Sequence, residues 1–219
     1  MRDMDLIEIS LKDAISQTRL ECPICLLTDK ALDSTIDSLL YEMVNDVLIR
    51  SELRYKGLCR RHVTRIETYL SRHMELGSMG LAIIYSDLLD HLADLLKSGS
   101  NLQRSSSCVL CEREKTFESL YLKAFLENVG ELVELYKSSQ SVLCFDHYAF
   151  IFSKLKNSLK ADLKEVQLSK YRHLVKLLNS FVNKHDYRNK ESFTAEELSA
   201  RKTAGKLIAK NLDQWRSSK

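Results

Sequence analysis

ECPICLLTDKALDSTIDSLLYEMVNDVLIRSELRYKGLCRRH (residues 21–62) opens on Cys22-Pro23-Ile24-Cys25 and closes on Cys59-Arg60-Arg61-His62. Between these ends the apolar residues Leu32, Ile36, Leu39, Leu40, Met43, Val44, Val47 and Leu48 recur at helical spacing. Thr28 and Asp29 can cap this helix, which the pattern carries to about Tyr55 before Gly57 breaks it. The same arrangement returns downstream. Cys108-Val109-Leu110-Cys111 precedes a helical stretch, and Cys144-Phe145-Asp146-His147 follows it. The intervening lengths are 33 and 32 residues, the offsets between copies are 86 and 85, and all six cysteines are used.

The chemistry explains the spacing. Zn²⁺ takes four ligands in a tetrahedron, usually thiolate sulfur and imidazole nitrogen. A two-residue gap lets one turn aim two side chains at one ion, and Pro23 stiffens the first such turn. Each Cys-x-x-His stands where a helix should begin, and the positive end of the helix dipole there favours thiolate over thiol. The expected metal ligands are therefore Cys22, Cys25, Cys59 and His62, and Cys108, Cys111, Cys144 and His147, holding two zinc ions. The arrangement resembles that of treble-clef zinc fingers, with a long helix where those carry a hairpin. Disulfides, which leave both histidines unexplained, and an iron–sulfur cluster with one histidine ligand are the alternatives. Pairing across the copies, Cys22 and Cys25 with Cys144 and His147, is also open. Four protein ligands leave no position for water or substrate, so the sites read as structural.

The rest of the chain is helical by exclusion and by pattern. In 219 residues there are one proline and six glycines, too few for the many tight turns of an all-β or α/β fold. The expected class is all-α: duplicated helical units, each with a knuckle and a helix-N-terminus metal site, and a basic C-terminal helical extension. Helices are expected over about 5–18, 58–77, 78–97, 116–136 and 144–183. A last helix, running to about Gln214, opens on the capping box Thr194/Glu197. The expected division is 1–97, a small polar linker over 98–107, 108–185, and a capping helix in 186–219.

Charge is uneven. Through His147 there are 17 Lys and Arg against 23 Asp and Glu; from Tyr148 onward there are 16 against 7. Lys154, Lys156, Lys160, Lys164, Lys170, Arg172 and Lys176 recur along the long helix, and Lys202, Lys206 and Lys210 along the last. Phosphate contact is one use for such a face, although few aromatics interleave for bases to stack on. No apolar run is long enough to cross a bilayer, and residues 1–8 lack a signal-peptide core, so a reducing cytoplasmic location is expected.

Catalytic patterns are missing. No Glu-x-x-His pair of a di-iron bundle, glycine-rich phosphate loop or Ser/His/Asp set is present, and no catalytic or cofactor-binding residue is assigned. Asp87 and His91 have the spacing of half a metal site, but a hydrogen-bonded surface pair accounts for them. Glu42, Asn45, Asp46 and Arg50 form a polar cluster read as a solvated face, with an Asp46–Arg50 pair.

CPIC, LLYEMVNDVLIR, GLCRRH, GLAIIYSDLL, the second CxxC with LCxxH, and the late HDYR together resemble an uncharacterised family of bacterial and archaeal proteins. Its members carry a CPxC…LCxxH unit twice. The resemblance spans about Cys22 to Arg188 and departs at Val109, where the family usually has proline. It implies the architecture and no reaction. Four functions remain in view: a zinc-stabilised interaction or scaffold module that binds a protein partner or itself, a nucleic-acid-associated protein using the basic C-terminal helices, a redox-responsive zinc protein whose thiolates release metal on oxidation, and an enzyme with an unrecognised pocket, for which the Glu42–Arg50 cluster is the place to look.

Overall fold

The computed structural model describes residues 2–17, 20–74, 77–99, 105 and 107–209. Among them the chain forms ten helices and no strand: α1 (Arg2–Ser16), α2 (Pro23–Tyr41), α3 (Val47–Lys56), α4 (Arg60–Arg72), α5 (Met79–Ser98), α6 (Val109–Glu127), α7 (Val129–Ser138), α8 (Phe145–Lys154), α9 (Asn157–Lys184) and α10 (Ala195–Ile208). The all-α reading holds.

Three long helices expected from periodicity are each divided. The helix expected from Thr28 to Tyr55 starts earlier, at Pro23, because proline suits the first helical position, where no intrahelical N–H bond is needed. It stops at Tyr41. The N–H groups of Glu42 and Met43 both turn back to the Ser38 carbonyl at 2.9 Å, closing the helix end. Asp46 then caps α3, its carboxylate accepting from the N–H groups of Leu48 (2.8 Å) and Ile49 (3.0 Å). A second break falls at Asn128, between α6 and α7, and a third at Leu155 and Lys156, between α8 and α9. Apolar spacing continues through all three, so periodicity alone does not reveal them.

Two compact units result, Met1–Thr28 with Glu118–Lys219, and Asp29–Phe117. These are not the expected 1–97 and 108–185. The boundaries fall inside α2 and α6, and most of the expected 98–107 linker, 100–104 and 106, lies outside the described residues. So does the last helix beyond Ala209, with Lys210.

The discontinuous unit is cored by Leu11, Ile15, Ile24, Phe125, Leu132, Tyr136, Leu143, Ile151 and Leu163, all fully buried. Here α1 packs on α7, and α9 packs on α7, α8 and α10. Buried polar groups brace the turn that leads to α8. The Tyr136 hydroxyl donates to Gln167 Oε1 (2.5 Å) and accepts from the Leu143 N–H (3.0 Å). Gln167 Nε2 (2.8 Å) and the Tyr171 hydroxyl (3.1 Å) both donate to the Leu143 carbonyl. The buried Tyr136 hydroxyl, both backbone groups of Leu143 and the Gln167 amide thereby gain partners for the water they lose. The Thr194/Glu197 capping box forms as expected.

The continuous unit is cored by Leu32, Ile36, Leu53, Ile66, Ile84 and Leu110. Arg65 of α4 pairs with Asp29 (2.6 Å) and Asp33 (2.7 Å) of α2, and the Tyr69 hydroxyl donates to Asp37 (3.1 Å). The three acids are four residues apart, one per turn on the face that α4 reads. At Gly80 the α5 backbone comes so close to α2 that an added Cβ would lie 2.0 Å from the Leu40 carbonyl oxygen.

Candidate metal centres

All four Cys-x-x-ligand pairs open helices. Cys59 and Cys144 occupy the N-cap positions of α4 and α8 with extended backbone. The carbonyls of Cys22, Cys59, Cys108 and Cys144 each accept from the N–H four residues on, in Leu26, Val63, Glu112 and Tyr148, at 2.9–3.1 Å. The second member of each pair, Cys25, His62, Cys111 or His147, then stands one turn into its helix. The knuckles expected as separate turns before a helix are thus its first turn. At Val109, where the resemblance led one to expect proline, α6 starts normally.

Two clusters form, and each draws on both copies of the motif: Cys22, Cys25, Cys144 and His147 in the discontinuous unit, and Cys59, His62, Cys108 and Cys111 in the continuous one. The division by copy, with one CxxC…CxxH site in each, is therefore replaced by exchange across copies. Backbone bonds align the paired segments: Val142 N–H to the Glu21 carbonyl (3.1 Å), and Val109 N–H to the Gly57 carbonyl (3.3 Å).

In the first cluster Nδ1 of His147 lies 3.3 Å from Cys22, 3.4 Å from Cys25 and 3.1 Å from Cys144, and Cys25 and Cys144 sulfurs are 3.8 Å apart. In the second, Nδ1 of His62 lies 3.3 Å from Cys59 and 3.4 Å from both Cys108 and Cys111, and Cys59 and Cys111 sulfurs are 3.8 Å apart. A tetrahedral ion with metal–sulfur bonds near 2.3 Å and metal–nitrogen bonds near 2.0 Å requires edges of about 3.8 Å (S···S) and about 3.5 Å (S···N). The residues fit one ion each. A disulfide would need sulfurs at about 2.05 Å, and all six cysteines are free.

Carboxylates that motif spacing did not single out stand behind both histidines, and one of them holds its ring. His147 Nε2 lies 2.6 Å from Glu118 Oε1. His62 Nε2 is 3.5 Å from Glu114 Oε2 and has no hydrogen-bond partner. Glu114 is instead held by a two-pronged Arg61 guanidinium, which also reaches Cys111 Sγ at 3.9 Å. Glu114 and Glu118 stand three and seven residues after Cys111, on one face of α6; that spacing was the available signal. A carboxylate on the far ring nitrogen fixes the tautomer that leaves Nδ1 for the metal.

Protons and hydrogen bonds among these groups set their charge. Burial would lower His62, but Cys108 and Glu114 hold it up, to about 9. Burial likewise opposes ionisation of Cys108, yet the bond from His62 brings its thiol down to about 6. Cys111 is pushed up to about 12 by burial and by the neighbouring sulfurs of Cys108 and Cys59. At the other cluster, the Cys144 and Cys22 sulfurs and Glu118 outweigh burial and raise His147 to about 12. Burial opposes ionisation of Cys22, but Cys144, Cys25 and His147 hold its thiol well below the ordinary range. A bound cation would take over the role of those protons.

The other polar groups have local explanations. Asp46 caps α3, and Arg50 donates to the Val44 carbonyl (2.9 Å) and to Asp87 (3.4 Å), so the expected Asp46–Arg50 pair is replaced. Asp87 is held by Arg54 Nε at 2.9 Å, which accounts for the carboxylate of the Asp87/His91 half-site. Of the basic stripe, Lys170 donates to the Ser139 carbonyl (2.6 Å) over the Tyr136 ring, and Lys206 pairs with Glu21 (2.9 Å). Among the described residues no helix is long and apolar enough to cross a membrane.

Fold and centres together define an all-helical protein with two sites of three cysteines and one histidine, each capable of holding a metal ion. A family of unknown function, DUF6062, matches residues 1–105. The "uncharacterized 23.9 kDa protein in xynA 3′region" of Caldicellulosiruptor sp. (strain Rt8B.4) is 31% identical over 198 residues, 86% of this chain and 94% of that protein. The chain belongs to this family of unknown function. No solved structure matches it.

Proposed function

We propose that the protein is a zinc-stabilised helical scaffold, a non-catalytic interaction module in which each cluster holds one Zn²⁺. The observation that carries this reading is the double occurrence of four protein ligands at tetrahedral spacing, with all ligand atoms within 4.8 Å of one another. Three thiolates and one imidazole suit zinc and leave no open coordination position for a substrate. An iron–sulfur cluster fits this spacing less well, because ligands on opposite irons would stand much further apart. Each ion would gather two helix N-termini, whose dipoles offset the excess negative charge of three thiolates. The ligands must remain thiolates, so the reading implies a reducing compartment, the cytoplasm.

Elemental analysis of the purified chain tests it: two zinc ions per chain are expected. Chelation should abolish cooperative unfolding. A metal-free chain with undiminished stability would sink the reading.

A further inference from the structure

The C-terminal half of α5 carries more apolar surface than its own unit covers. Leu89, Leu92, Ala93 and Leu96 follow the i, i+3, i+4, i+7 rule and form one stripe. Leu89 is 65% and Leu96 69% exposed, and Ala93 is exposed. Beside the stripe, Tyr55 of α3, 72% exposed, helps to line an apolar cavity of about 300 Å³ with Leu88, Leu89 and Leu92.

We propose that this stripe pairs two copies of the chain through antiparallel α5 helices related by a two-fold axis between Leu92 and Ala93. The proposal rests on reading the chain as an interaction module and names the partner. Two features of the stripe suit a second copy, and the area it offers supports one. The stripe is self-complementary in this register: Leu89 faces Leu96 of the second copy, and Leu92 faces the small Ala93, which lets the helices approach. The antiparallel arrangement also sets each helix N-terminus beside the other's C-terminus.

The area is sufficient. A large aliphatic side chain withdraws on the order of 100 Å² from water, and an aromatic one more. The exposed parts of Leu89, Leu92, Ala93, Leu96 and Tyr55 then supply roughly 350 Å² of apolar surface per copy. The lower end of the standard interface range, about 600 Å² per partner and somewhat over half apolar, needs about that much. Dimerisation in the micromolar range is the expected strength.

Sedimentation equilibrium on the full zinc-loaded chain tests the proposal, with zinc counted in the same samples. A dimer is expected at about 50 µM, a concentration well above a micromolar dissociation constant. Leu89→Asp with Leu96→Asp should give a monomer with unchanged zinc content and helical circular dichroism. Ala93→Arg, a mild change on an exposed helix position, should do the same if the double variant folds poorly. A wild-type chain monomeric throughout, or a dimer that survives the apolar replacements, would overturn the proposal. Zinc-free dimers would instead count against the metal reading and leave this one standing.

Discussion

Glu118 and Glu114 occupy matching places behind the two histidines and are not equivalent. Glu118 makes a 2.6 Å contact with His147, whereas Glu114 stands 3.5 Å from His62 and is engaged by Arg61. Loss of such a partner typically weakens metal affinity about 10–100-fold. Glu118→Gln should therefore fall in that range at the first cluster, and Glu114→Gln should cost less at the second. Competition with a chromophoric chelator reads both; equal losses would show that the Arg61 contact has no effect. Sequence spacing identified all eight cysteine and histidine candidates, because ligand chemistry demands those residue types a turn apart. It did not single out the two glutamates, since a carboxylate on a helix is ordinary until the histidine it faces is known.

At the scale of elements, the helix ends carry the testable content. Gly80 is needed for the approach of α5 to α2, because a Cβ there would collide with the Leu40 carbonyl. Gly80→Ala should destabilise the continuous unit by about 1–3 kcal/mol, the usual cost of overpacking, as read by denaturant unfolding. At α10, Glu197 accepts from Ser180 (2.5 Å), the Thr194 N–H (2.7 Å) and Lys184 (3.0 Å), and the Ser180 bond leads in lowering its carboxyl from 4.5 to about 2. A depressed carboxylate adds stability that is complete above its unfolded value and is lost as pH falls through its folded value. The stability difference between wild type and Glu197→Gln should accordingly be constant above pH 4.5 and shrink toward pH 2, and a carboxyl NMR titration should place Glu197 near the lower figure. The capping box that holds Glu197 was legible as Thr194-x-x-Glu197. The breaks at 42–46, 128 and 155–156 were not, because none contains the glycine or proline that punctuates a pattern, and each end is closed by local hydrogen bonds and packing instead.

For the whole molecule, the decisive prediction concerns which ligands belong together. Cys22→Ser and Cys144→Ser should each cost one zinc per chain, and combining them should cost no second one, because both remove the same site. Combining Cys22→Ser with Cys59→Ser should cost both. Were the pairing by copy, the two outcomes would be exchanged. Acid should release the metal, since protons compete for the same thiolates and imidazoles. Cys22 and His147 are 125 residues apart, so their site closes a long loop, and closure entropy grows with loop length.

Sequence alone determined the helical class, the eight ligand-type residues and the C-terminal capping box. Each follows from local chemistry: scarce turn residues, two-residue ligand spacing, and a side chain that reaches its own helix end. Tertiary structure alone decided that the knuckle of one copy meets the Cys-x-x-His of the other, that the units divide within α2 and α6, and that Glu118 and Glu114 stand behind the histidines. Any Cys-x-x-Cys can complete a tetrahedron with either Cys-x-x-His. Only the packing of helices distant in sequence selects which pair comes within 4 Å.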